Sequence, residues 1–247
     1  MLNLEFSLTE QESVDMAQIP ANAWFTQVKF ANAISPRCQE AALLDVNHEM
    51  KKDLLLPWIR DKVRGKRVLD LFSANGAFAI ECALAGCQEV VAVEFDQERV
   101  RCAQFLARVL ERNGLIAPQF CLGDVYTIAD RFSRPFDVVL CMGGLYHIAD
   151  PPYILTQIRR LLEQGLLIVQ TSGILPGRTN KATFVIREDQ TSKGLTSLRG
   201  GEGVWKVSVP CFRAMLRHAG FRVLEEKQPA VWRRRRFPWY CSLAETC

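Results

Sequence analysis

The chain has 247 residues, 49% hydrophobic and 23% charged, with a net charge of +4; this allows one large α/β domain with a good core, excludes wholesale disorder, and is too little charge to declare a nucleic-acid partner. No apolar run approaches the ~20 residues needed to cross a bilayer, and residues 1–11 carry Glu5 and Glu10 without a basic residue, so neither a membrane span nor a secretory signal is expected and a cytoplasmic location follows. Nine cysteines, irregularly spaced and without a Cys-x-x-Cys pair, and three scattered histidines predict neither a disulfide framework nor a metal site.

Residues 1–20 alternate weakly and predict a short helix or extended arm ending at Pro20. An apolar, aromatic stretch, Ala23 to Phe30, leads to a turn at Ile34 to Arg37. From Gln39 to Val63 apolar residues recur at helical spacing, and Pro57 divides the segment into two expected helices. Strand and helix then alternate, as in a parallel sheet. The predicted strands are Arg67 to Phe72, Glu89 to Glu94, Gln119 to Leu122, Phe136 to Met142 and Leu166 to Thr171. The intervening helices run from about Gly76 to Ala85, from Gln97 to Asn113, and from a start at Asp150 to Pro152, where a carboxylate N-cap precedes prolines. Ser172 to Ser208 is polar, basic and too long for a plain connection, so it reads as a substrate-side insertion or a lid. A helix over Pro210 to His218 and two closing strands, Phe221 to Lys227 and Trp239 to Leu243, complete the chain.

The first strand and its neighbour organise the chemistry. The apolar run Val68 to Phe72 breaks into small residues up to Ala77, which lets a ligand approach a strand-to-helix turn. The next strand ends in Glu94, eighteen residues after Gly76, where a carboxylate can meet a ribose bound on the turn. Asp70 can meet an ammonium group, Asp124 an adenine amino group, and Met142 and Gly143 supply backbone near a reacting centre. Each has an ordinary alternative: a turn cap for Asp70, a turn residue for Asp124, core packing for Met142. A dinucleotide is disfavoured, because Phe72 and Ala74 stand where two glycines of a G-x-G-x-x-G turn would fall.

The segments Val68 to Phe78 and Phe136 to His147, with Glu94 and Gly123-Asp124, resemble the class I S-adenosylmethionine-dependent methyltransferases. The Leu145-Tyr146-His147 run, the Trp24-Phe25 approach and the segment Met215 to Phe221 are similar to the group containing the tRNA wobble-uridine (5-oxyacetate type) alkyltransferases. The resemblance implies a Rossmann-like, doubly wound seven-stranded α/β sheet, mostly parallel with an antiparallel C-terminal strand. It implies residues 1–65 as an N-terminal helical, substrate-side segment, and residues 66–247 as the methyltransferase domain with its insertion at about 172–208. It implies S-adenosyl-L-methionine as cofactor, with Asp70, Phe72, Ser73, Ala74 and Gly76 around the methionine part. Glu94 and Phe95 would then take the ribose and flank the base, Asp124 and Val125 would meet adenine, and Met142 and Gly143 would line the methyl end. Phe72 and Ala74 depart from the family's glycines, which predicts a differently shaped or closer-packed turn.

His147 is the expected base where the acceptor must lose a proton, and Tyr146 the expected orienting hydroxyl. Trp24, Phe25, Arg178, Arg199 and Trp205 suit an acceptor pocket with aromatic walls and cations. The expected acceptor is a small molecule, with a tRNA-modifying enzyme and a catalytically silent nucleoside-binding protein as alternatives. The sequence leaves the oligomeric state open.

Overall fold

A computed structural model describes residues 1–38, 45–172, 174–175, 178–187, 202–228 and 240–247. It divides into two compact units, residues 1–124 and 125–247.

The first unit contains β1 (Leu2–Asn3), α1 (Glu10–Gln18), β2 (Val28–Lys29), α2 (Asp45–Lys62), β3 (Arg67–Leu71), α3 (Ala77–Leu84), β4 (Glu89–Glu94), α4 (Gln97–Arg112) and β5 (Gln119–Leu122). Its main strands lie in the order β3, β4, β5, all parallel. Every residue of β3 is buried, as a strand covered on both faces requires. Helix α4 starts at Asp96, whose side chain accepts from the Glu98 and Arg99 amides, and stops where Gly114 turns left-handed and Leu115 N–H returns to the Leu110 carbonyl at 3.1 Å.

The N-terminal arm is a working part of this unit. Leu2, Leu4, Leu8, Trp24, Val28 and Phe30 join Phe105, Leu106, Val109 and Leu110 of α4 in one core cluster. Thr9 and Glu12 form a capping box at α1. Arg112, the last residue of α4, reaches both Glu12 carboxylate oxygens at 2.8 and 2.9 Å and the Ser7 carbonyl at 2.7 Å.

Helix α2 corrects one expectation, since it runs through Pro57 unbroken. Proline there leaves one carbonyl, that of Asp53, without its helical donor. Pro57 and Asp53 are both exposed, so water can serve that carbonyl, while buried Leu55, Trp58 and Ile59 fasten the helix on both sides of the proline.

The second unit contains β6 (Phe136–Met142), α5 (Pro151–Leu161), β7 (Leu162–Thr171), β8 (Ala182–Arg187), β9 (Glu202–Val207), α6 (Val209–His218), β10 (Phe221–Lys227) and β11 (Tyr240–Thr246). Strand β6 pairs in parallel with β7, and β11 pairs antiparallel with both β7 and β10. The fold is thus the mostly parallel seven-stranded sheet with an antiparallel strand that the resemblance implied. Asp150 caps α5 by accepting from the Tyr153 amide at 3.0 Å, ahead of the two prolines. Within the segment read as an insertion, β8 and β9 pair antiparallel, Phe184 opposite Trp205. Arg199, Arg233 to Arg236 and Trp239 lie outside the described residues. Among the described residues no helix is long and apolar enough to cross a membrane.

Candidate cofactor site

In the first unit the turn between β3 and α3 has an unusual backbone. Phe72 and Ala74 have φ of 60° and 50°, and Gly76 has φ of 83°. An L-residue in the left-handed region costs about 1 kcal/mol or more. Two side chains thus stand in conformations that glycine adopts freely. At Gly76 no side chain fits, because a Cβ there would lie 2.4 Å from the Phe120 ring.

Three neighbouring groups show what the turn encloses. Asp70 is 1% exposed; it receives the Ala79 amide, yet its Oδ2 has no hydrogen-bond partner. Burial, and after it the nearby Glu94 charge, push the Asp70 carboxyl up to about 8. Ser73 Oγ is likewise buried without a partner. Such orphaned polar atoms are costly in a folded core. A ligand carrying a cationic nitrogen and hydroxyl or carboxylate oxygens would satisfy them.

Glu94, at the end of β4, is 4% exposed. Its Oε2 accepts from Ala74 N–H at 2.8 Å, and its Oε1 from the Phe95 and Asp96 amides at 3.1 Å each. Burial raises its pKa, opposed by Arg99 and by these three amides. A carboxylate offers about four acceptor positions. Three are occupied, so engaging two ligand hydroxyls requires Glu94 to exchange a backbone bond. Phe95 beside it is 44% exposed, a large apolar ring left uncovered at the strand tip. Asp124 closes this unit half-buried.

The second unit carries its own set. Val125 and Met142 are each 7% exposed, and Gly143 follows β6 with φ of 78°. The rings of Tyr146 and His147 lie 4.2 Å apart at 46°. Burial pushes the Tyr146 hydroxyl up to about 12, so it stays protonated near neutral pH. Trp205 Nε1 donates to the carbonyls of Ile148 and Ala149 at 3.0 and 3.3 Å, and Tyr126 Oη accepts from the Ala149 and Asp150 amides at 2.8 and 3.3 Å.

The expected acceptor-pocket residues have different surroundings. Trp24 is fully buried and meets Phe105 of α4 edge-on at 6.1 Å, so it is a core residue and not a pocket wall. The half-buried Phe25 ring lies under the Arg99 guanidinium at 5.4 Å. Arg178 is exposed. Trp205 uses its polar edge on the chain's own backbone. Sequence reasoning missed Asn75, Arg99 and Tyr126; Asn75 stood inside the small-residue turn, but nothing local marked the groups it binds.

A family model described as a methyltransferase domain matches residues 62–206. The tRNA U34 carboxymethyltransferase of Pseudomonas savastanoi pv. phaseolicola is 27% identical over 183 residues, covering 70% of this chain and 53% of that protein. The enzyme of the same name from Pseudomonas aeruginosa (strain UCBPP-PA14) is 30% identical over 161 residues, covering 65% and 46%. The chain thus spans about half or less of the length of these curated relatives. Among solved structures, the N-terminal domain of EvdMO1 with SAH bound aligns with a TM-score of 0.65 at 19% identity over 97% of both chains. Magnesium protoporphyrin IX methyltransferase from Synechocystis PCC 6803 with bound SAM aligns with a TM-score of 0.63 at 15% identity, over 98% of this chain and 99% of that one.

Proposed function

Because the chain belongs to the methyltransferase-domain family, we propose that it is an S-adenosylmethionine-dependent methyltransferase acting on a small-molecule acceptor. The observation that carries the donor assignment is the pair of buried, unpartnered atoms, Asp70 Oδ2 and Ser73 Oγ, beside a strained turn. When bound, S-adenosylmethionine supplies an electrophilic methyl group on a sulfonium.

The chain's residues do the rest. Asp70 accepts from the amino group of the donor, and the positive charge stabilises its ionised form. Ser73 hydrogen-bonds a polar atom of the methionine part. Glu94 accepts from a ribose hydroxyl, and Phe95 packs on the base. Asp124 and Val125 meet adenine, and Met142 and Gly143 line the methyl end. Transfer by in-line displacement gains chiefly from alignment, on the order of 7–11 kcal/mol in favourable cases. His147 accepts a proton where the acceptor must lose one, and Tyr146, protonated, donates to an acceptor oxygen.

The small-molecule acceptor is supported by the modest net charge of +4. A second reading, an RNA acceptor, is favoured by the names of the curated relatives. Incubation with methyl-labelled donor and fractionated cell extract tests the choice. Label in the small-molecule pool is expected. Label in RNA, with affinity that falls steeply as salt rises, would replace the first reading by the second. Failure of the protein to bind S-adenosylhomocysteine in calorimetry would remove both.

A further inference from the structure

We infer that Asn75 is a positioning residue which locks the turn between β3 and α3 onto the segment Trp24 to Thr26, so that this distant stretch of chain sets the affinity of the donor site; the inference rests on the donor assignment above. The Asn75 carboxamide is 1% exposed. Its Oδ1 accepts from Thr26 N–H at 2.9 Å and its Nδ2 donates to the Thr26 carbonyl at 2.8 Å. The amide orientation follows from the pairing, since the flipped amide would face donor with donor and acceptor with acceptor. One side chain thus does for Thr26 what a neighbouring strand would do, across 49 residues of sequence.

The turn needs such a lock. Phe72 and Ala74 sit in the left-handed region, from which an unrestrained backbone would relax. Glu94 grips the turn from one side through Ala74 N–H, and Asn75 grips it from the other. Cys102 of α4 lies beside Asn75, which offsets part of the rise that burial gives the Cys102 thiol pKa, so α4 joins the same junction.

The anchor at the far end is firm. Trp24 and Val28, flanking Thr26, are both fully buried in the arm's core cluster. Phe25 lies under Arg99, and Arg99 in turn favours the ionised form of Glu94. Residues 24–26 therefore reach the turn through Asn75 and the ribose carboxylate through Arg99. A purely structural asparagine would stabilise the fold and leave ligand affinity alone.

Calorimetry with S-adenosylhomocysteine on the full chain separates the two roles. The wild-type protein must bind first; if it does not, the donor assignment fails and not this inference. Given binding, Asn75→Ala is expected to raise Kd about 10-fold, as loss of a buried two-bond contact should. Asn75→Asp keeps the acceptor for Thr26 N–H but sets a carboxylate oxygen against the Thr26 carbonyl, and should raise Kd at least as far. Leu8→Ala damages the same arm away from residues 24–28 and without touching the turn, and should lower Tm while Kd stays within about twofold. If Asn75→Ala does not fold, Asn75→Asp against Leu8→Ala at matched Tm carries the comparison. Kd within twofold of wild type for the Asn75 variant, whatever its Tm, overturns the inference.

Discussion

Two turns, one in each unit, follow the strands β3 and β6 and are built on opposite plans. The turn after β3 forces Phe72 and Ala74 into left-handed backbone and leaves Asp70 Oδ2 and Ser73 Oγ buried without partners. The stretch after β6 places its positive φ on Gly143, and Trp205 and Tyr126 satisfy the carbonyls and amides of residues 148–150. The first turn leaves polar atoms unmet by the chain; in the second, the chain itself meets those of residues 148–150. Strain and unmet polar groups in one place, set against their absence in a comparable place, are a sharper pointer to a ligand than either is alone.

The contrast can be broken most severely at Gly76. Gly76→Ala places a methyl group against the Phe120 ring in a backbone region hostile to side chains, and should cost about 3 kcal/mol in denaturant unfolding, with donor binding lost. Adding Phe120→Leu should recover part of the stability.

Asp70→Asn keeps the shape and removes the buried charge. Because burial lifts the folded carboxyl to about 8, from an ordinary value near 4, its stabilising contribution is full below about pH 4, declines as pH rises, and is gone above about pH 8. The variant should therefore melt higher than wild type at pH 8 and lose this part of the pH dependence. It should also bind S-adenosylmethionine roughly 10- to 100-fold more weakly, having lost the charge that meets the amino group. A wild-type Tm that rises between pH 5 and pH 8, with no difference from the variant, would contradict the assignment.

In the second unit the effect should be smaller. Trp205→Phe keeps a ring opposite Phe184 and removes the donor to Ile148 and Ala149, which should cost about 1 kcal/mol and speed hydrogen exchange of the Ala149 amide about fivefold. Smallest of all, Ala74→Gly should stabilise the protein by up to about 1 kcal/mol, since glycine enters the left-handed region without strain while gaining freedom in the unfolded chain.

The central strands were readable because buried parallel strands are short apolar runs with polar or small residues at their ends. Glu89–Glu94, Gln119–Leu122 and Phe136–Met142 fall where the pattern placed them. The order of Asp70 on β3, Gly76 at the start of α3 and Glu94 on β4 was readable for the same reason. What escaped is tertiary. The two-residue strands β1 and β2 have too little pattern to show, and the arm's fit depends on the apolar stripe of α4 a hundred residues away. The pairing of Asn75 with Thr26 has no local sign. Trp24 looked like a pocket wall because an aromatic residue near a site and one inside a core look alike in one dimension. Pro57 misled because proline's effect on a helix depends on whether the stranded carbonyl faces water.

The clasp of Arg112 on Glu12 and Ser7 also bears on how the protein can be cut. The family match begins at residue 62, but a fragment excised there would lose the lid of Leu2, Leu4, Leu8, Trp24, Val28 and Phe30 and lay bare the oily flank of α4. Such a piece would be sticky and would aggregate, although it retained every group assigned to the donor.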